Sequence, residues 1–418
     1  MQRATWRFSC SPRGPSFAGS AGSCSNLSHP CTVDSRGIVD EMGNGRIKVA
    51  FFVPALTGGG AERVVTRILR HLDRSKFHPL LVVMEKGGIF LEDVPPDVNV
   101  RDCGKRILGR QAERIFLFAK ILKEEKPDVV VSFLWFANAV AVIACRLSGG
   151  NARLVLSERS TILGSREGFL QELCRRLAIR FLYPAADRIV VNSESLRSQL
   201  LGHFRFPEST VDVIHNPLDI HEVQARSMMD DPPALPAVVQ EPIVIGMGRF
   251  SQEKGFDLLV RAMAIVKFPA RLVLLGEGRE ERNLRRLAES LGLSRRVGFP
   301  GFRKPPYGIL RQATVFVLPS RYEGFPNGLV EAMALGVPCV ATRCRTGPEE
   351  IIRDGENGLL VPVEDPGSLA VAIDRLLGDA TLRERMGGAA RDSARRYDAP
   401  GIVRQFEEMI SGVVACPR

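Results

Sequence analysis

From Arg46 onward, short apolar runs alternate with longer amphipathic stretches. IKVAFFVP (47–54), HPLLVVME (78–85), DVVVSFLW (128–135), RLVLSE (153–158), DRIVVNSE (187–194) and VDVIHNP (211–217) predict strands. AERVVTRILRHL (61–72) and ERIFLFAKILKEE (113–125) between them carry helical periodicity. The stretch 228–242, MMDDPPALPAVVQEP, breaks the series with its prolines. Strand-like runs then resume at PIVIGMGR (242–249), ARLVLLGEG (270–278), RRVGFPGF (295–302), TVFVLPS (314–320) and VPCVATR (337–343), with FDLLVRAMAIVK and ERNLRRLAESLG as helices between them. Alternating strands and helices imply parallel sheets covered by helices on both faces. The expected fold is therefore α/β, with two Rossmann-like domains at 46–220 and 242–396 and a linker at 221–241. In the closing segment, 397–418, the stretch PGIVRQFEEMISGVV reads as a helix packing back on the first domain. Two such domains facing each other leave a cleft between the carboxyl ends of their strands.

Two segments invite other readings. The uncharged run 129–145, VVVSFLWFANAVAVIAC, approaches the length of a membrane span. Its β-branched start, followed by Ser132 and Asn138, fits a buried strand, a turn and a buried helix instead. Residues 1–45 are rich in Ser, Gly and Pro without periodicity, and are expected to be a disordered extension outside the fold. They suit either an organellar transit peptide or a start placed upstream of Met42.

Composition narrows the class of protein. The chain has 418 residues, 45% apolar and 25% charged, which excludes a disordered, collagenous or coiled-coil chain. Its net charge of +10 points to an acidic partner. Nucleic acid fits poorly, since aromatics make up only 7% and no DNA- or RNA-binding motif is present. The nine cysteines lack CxxC spacing, as expected of reduced thiols in a cytoplasmic protein.

Candidate chemistry gathers at three turns. In LPSRYEGFPNGLVEAMALGVP (318–338) a strand ends, a polar turn follows, and a helix begins near Pro326–Gly328. A helix start at a sheet's carboxyl edge offers backbone N–H groups and a positive dipole end to phosphate. Glu323 and Glu331 flank it, and a carboxylate can accept hydrogen bonds from vicinal sugar hydroxyls. A nucleotide sugar would suit the arrangement; a capped helix with solvated glutamates would show the same pattern. The loop GMGRFSQEKGFD (246–257) completes neither GxGxxG nor a Walker motif, which disfavours a dinucleotide-dependent dehydrogenase. It supplies Arg249 and Lys254, cations able to stabilise a departing diphosphate without a metal. No DxD triplet or metal-ligand cluster is present, so no cofactor or metal is expected. At TGGGAERV, Gly59 and Gly60 allow close backbone approach to a ligand.

Together, GRFSQEKGFDLLVRA, LVLLGEG, EGFPNGLVE and AMALGVPCVAT resemble the retaining glycosyltransferases of the GT-B fold, family four, from Lys48 to about Tyr397. GGGAERV, VSFLWFAN, LSERS, YPAADRIVVNSES and VIHNPLD resemble a subgroup that includes N-acetylgalactosaminyltransferases extending sugars on a polyprenyl diphosphate. The resemblance implies retaining, metal-independent transfer from a nucleotide sugar, UDP-linked, to a glycan acceptor. In that scheme Glu323 contacts the donor sugar, and the backbone of Gly324, Phe325, Pro326, Asn327, Gly328 and Leu329 meets sugar and diphosphate. Glu331 holds the ribose, Arg249 and Lys254 the diphosphate, and Gly59, Gly60, Gly248 and Gly278 complete the donor site. Where many relatives carry a His, this chain has Ser157-Glu158-Arg159-Ser160, so the general base is not assigned; Glu158 and Arg159 are candidates for acceptor contact.

Basic residues crowd the first domain. On FLQELCRRLAIRFLYP, Arg175, Arg176 and Arg180 accompany an apolar stripe of Leu170, Leu173, Leu177 and Phe181. A basic amphipathic helix of this kind suits an anionic membrane surface or a lipid-linked diphosphate. That favours a lipid-linked acceptor at the inner face of the cytoplasmic membrane. A soluble transferase acting on a small acceptor and an inactive nucleotide-sugar-binding protein are the alternatives.

Overall fold

The computed structural model describes residues 45–104, 111–160, 169–229, 241–344 and 346–417. The extension before Gly45 and the prolines of 230–240 lie outside the described residues. Among the described residues, thirteen strands form two all-parallel sheets. The first contains β1 (Ile47–Val53), β2 (Phe77–Val83), β3 (Asn99–Asp102), β4 (Val129–Phe133), β5 (Arg153–Glu158), β6 (Arg188–Val191) and β7 (Val211–Val213), in the order β3-β2-β1-β4-β5-β6-β7. The second contains β8 (Ile243–Met247), β9 (Arg271–Leu275), β10 (Val297–Gly301), β11 (Val315–Leu318), β12 (Cys339–Thr342) and β13 (Leu359–Val361), in the order β10-β9-β8-β11-β12-β13.

The apolar runs are continuous because both faces of each sheet are buried. In β1, Val49, Phe51 and Val53 enter the core on one face while Ala50 and Phe52 enter the core on the other. The stretch 129–145 is β4 followed by the helix Trp135–Leu147, and no helix among the described residues is long and apolar enough to cross a membrane. The closing helix, Ala399–Ala415, places Ile402, Val403, Phe406, Ile410 and Val413 in a core of the first sheet, beside the helix Gly60–His71. The chain passes between the halves at two adjacent points, where Leu218 N–H donates to the Tyr397 carbonyl and Ala399 N–H to that of Leu218.

Three elements differ from the pattern-based expectation. β3 carries too little apolar sequence to stand out, and β13, though apolar throughout, is too short to do so. β3 is an edge strand with no buried residue, and β13 is a three-residue edge strand. The expected linker 221–241 begins as a helix, Ile220–Met229, whose buried residues are only Val223 and Ser227. So few apolar anchors leave a weak periodic signal.

Candidate active site

The two sheets order their strands so that β1/β4 and β8/β11 are the points where the strand order reverses, and the loops there converge on one cavity of about 560 Å³. From the first half come Gly59, Gly60, Arg63 and Arg67. From the second come Gly248, Arg249, Lys254, the 302–307 turn, and Phe325 to Gly328. Gly59 caps the helix Gly60–His71 in an extended conformation, and the Glu62 carboxylate of its first turn accepts from Gly58 N–H at 2.7 Å.

β11 ends at Leu318 and the helix Asn327–Ala334 begins after Pro326. In the turn between, Glu323 is fixed from two sides, accepting from Ser320 Oγ at 2.6 Å and from Lys254 Nζ at 2.6 and 2.8 Å. Gly324 lies against the first half so closely that a Cβ there would stand 2.4 Å from the Arg159 carbonyl oxygen. Asn327 bridges the halves as well, accepting from Asn216 Nδ2 at 2.9 Å.

Glu331 is fully buried and pairs across the cleft. Arg63 donates to its Oε1 at 2.8 Å and Arg67 at 3.2 Å, while Oε2 is buried without a hydrogen-bond partner. Arg67 also donates to the Pro217 carbonyl at 3.0 Å and to the Tyr307 hydroxyl at 3.4 Å. Burial works to lower the Arg63 pKa, but Glu331 and Tyr307 outweigh it and hold it above its ordinary value. Burial, with the Glu331 charge second, raises the Tyr307 pKa.

Not every expected position faces the cavity. Glu323 and Glu331 lie behind its wall, reaching it through Lys254 and Arg63. Gly278 approaches the Phe250 backbone instead. Leu329 belongs to the core of the second sheet, and its N–H donates to the Pro326 carbonyl at 3.0 Å. Arg63, Arg67 and Tyr307 were missed. The first two are four residues apart on the amphipathic stretch AERVVTRILRHL and therefore share a face. Nothing in the sequence indicated that this face meets Glu331.

The acceptor candidates need a larger correction. Glu158, Arg159 and Arg175 are buried, and none is a surface group. Glu158 accepts from Arg175 Nη2 at 3.2 Å, from Ser160 Oγ at 3.1 Å and from the Tyr183 hydroxyl at 2.8 Å. Burial, and next the Glu158 charge, pushes the Tyr183 pKa well up. Arg159 sits near the Phe133 and Phe406 rings and donates to Ser157 Oγ, the Ile214 carbonyl and Asn216 Oδ1. Burial pushes its pKa down to about 9 against the pull of Glu158, which leaves it charged at neutral pH. These residues hold the end of β5 to the strands and helices around it. Arg175 therefore cannot touch a membrane, because its charge is already committed inside the first half.

Its neighbours on the helix Phe169–Phe181 do face outward. Leu173, Leu177 and Phe181 are 41, 45 and 65% exposed, Arg176 pairs with Glu172 at 2.8 Å, and Arg180 lies beside the Phe181 ring. The Leu170 side chain of the expected stripe lies outside the described residues. His215 is a packing residue, set between the Phe325 and Tyr397 rings.

Two family models match the halves in turn: Glycosyltransferase Family 4 over residues 58–222 and Glycosyl transferases group 1 over 229–393. The lipopolysaccharide core biosynthesis glycosyltransferase LpsE of Rhizobium meliloti is 31% identical over 336 residues, 78% of this chain and 88% of the relative. N-acetylgalactosamine-N,N'-diacetylbacillosaminyl-diphospho-undecaprenol 4-alpha-N-acetylgalactosaminyltransferase of Campylobacter jejuni is 29% identical over 373 residues, 87% of this chain and 100% of the relative. Among solved structures, Anabaena HepE in complex with UDP and glucose superposes with a TM-score of 0.75 at 22% identity, over 88% of this chain and 100% of that one. The fold is GT-B, and the site lies in its interdomain cleft. The chain belongs to the family 4 glycosyltransferases and is a glycosyltransferase.

Proposed function

We propose that this enzyme transfers a sugar, with retention of anomeric configuration and without a metal, from a UDP-sugar to a lipid-linked glycan at the inner face of the cytoplasmic membrane. The observation that carries the donor half is the convergence on one cavity of Arg249, Lys254 and the turn leading into the helix Asn327–Ala334. As the glycosidic bond breaks, the departing nucleoside diphosphate gains negative charge. The Arg249 guanidinium and Lys254 ammonium stabilise that charge where solvent is partly excluded. The acceptor hydroxyl attacks on the face the diphosphate leaves, and its proton passes to the departing phosphate oxygen. In this reading Glu323, held by Ser320 and Lys254, orients the donor sugar, and Glu331 receives the ribose hydroxyls.

The acceptor half rests on the Campylobacter relative, which is named for a diphospho-undecaprenol acceptor, and on the exposed Leu173, Leu177 and Phe181 beside Arg176 and Arg180. Apolar side chains flanked by arginines suit the boundary between acyl chains and anionic headgroups. Turnover of UDP-sugars with polyprenyl-diphosphate glycans in EDTA, with the product anomer assigned by NMR, tests the reaction. Inversion, or a requirement for added divalent ion, would sink it. Leu177→Ser with Phe181→Ser should abolish flotation on anionic vesicles; retained flotation removes this face from the proposal.

A further inference from the structure

The Glu331 pairs differ in how firmly each arginine is held. Arg67 is nearly enclosed, with 7% of its side chain exposed, and is anchored by the Pro217 carbonyl and the Tyr307 hydroxyl as well as by Glu331. Arg63 has 24% of its side chain exposed, lines the cavity, and reaches Glu331 from one turn nearer the start of the helix Gly60–His71. Each carboxylate oxygen accepts two hydrogen bonds. On Glu331 both sites of Oε1 are taken by the two arginines, while Oε2 is buried and unpartnered. A ribose diol that engages the two oxygens side by side must therefore displace one arginine, and Arg63 is the one free to leave.

We propose that Arg63 is an exchangeable donor-binding residue supplied by the first half, pairing with Glu331 while the cleft is empty and with the donor's diphosphate once the ribose occupies Glu331. This rests on the reading of Glu331 as the ribose site. In the empty cleft Arg63 compensates a carboxylate that would otherwise be buried with a single cation. Released, its guanidinium stays at the wall it shares with Arg249 and Lys254, where a diphosphate offers oxygens in the fork geometry that guanidinium matches. Donor entry thus moves an arginine of one half from the other half's carboxylate to the donor itself, coupling the halves to occupancy.

The test compares uridine, which has the ribose but no phosphate, with UDP, by calorimetric titration of the intact chain and of Arg63→Gln. Exchange predicts opposite effects. Uridine should bind Arg63→Gln more tightly, because its competitor at Glu331 is gone, whereas UDP should lose roughly tenfold or more relative to uridine, the scale of one charge-assisted hydrogen bond. Arg63→Lys should restore part of the UDP preference. Equal weakening of both ligands would make Arg63 only a support for Glu331, and unchanged binding of both would remove it from the site; either result overturns the exchange. Glu331→Gln separates the two readings, since uridine affinity unaffected by that change refutes the ribose site itself. Melting temperatures of the variants confirm that the titrated proteins are folded.

Discussion

Two clusters of paired charge, each containing residues the sequence marked as ligand-facing, end in opposite surroundings. In the first half, Arg175 and Glu158 have 2 and 0% of their side chains exposed, and neighbouring hydroxyls complete the network. In the cleft, Lys254 and Arg63 each keep 24% exposed while holding an enclosed carboxylate, Glu323 or Glu331. A pair with both members enclosed gains little beyond fixing the frame, because desolvation offsets most of its attraction. A pair whose cation stands in a cavity wall can exchange its carboxylate for an incoming anion. The exposure of the cation, more than the presence of the ion pair, separates frame from site.

The largest effect that would break this comparison is on stability. Arg175→Ala leaves Glu158 buried without its cation and should cost about 3–5 kcal/mol, read by urea unfolding. Arg176→Ala, one residue on and 51% exposed, should stay within roughly 0.5 kcal/mol. Similar losses in the two variants would mean that the enclosed pair is not a frame.

A smaller effect sharpens the contrast at the crossing between halves. Asp219 there is held down to a pKa of about 2, first by its hydrogen bond with His71 and less by Arg70. A lowered carboxylate contributes stability above its ordinary value of 3.8 and loses it as the pH falls from there toward 2. Asp219→Asn should flatten the stability profile in that window by up to about 2 kcal/mol. An unchanged acid limb would show that His71 and Arg70 do not stabilise the charged Asp219.

Much of the fold was legible because buried parallel strands are written as unbroken apolar runs, such as VAFFV and VVVSF. Edge strands escape this signal, as β3 does with its unburied NVRD. At the site, the turn holding Glu323 and the cations Arg249 and Lys254 were legible, since each sits where a strand gives way to a helix. What Glu331 meets was not, because Arg63 and Arg67 lie 268 and 264 residues away in the chain. Arg175 misled for a related reason. Its helix is amphipathic in sequence, but the apolar stripe faces outward and Arg175 turns inward to Glu158, and only the tertiary structure shows which face is covered.

The central claim is that the cleft's cations bind a donor diphosphate. Its most direct test is calorimetric titration of UDP and uridine into the intact chain and into the Arg249→Ala, Lys254→Met double variant. The account predicts that the double variant loses UDP affinity by at least roughly tenfold, each charged hydrogen bond being worth about 1.5–3 kcal/mol, while uridine affinity is unchanged. UDP binding of equal strength to both proteins, or no UDP binding to the intact chain, would contradict it.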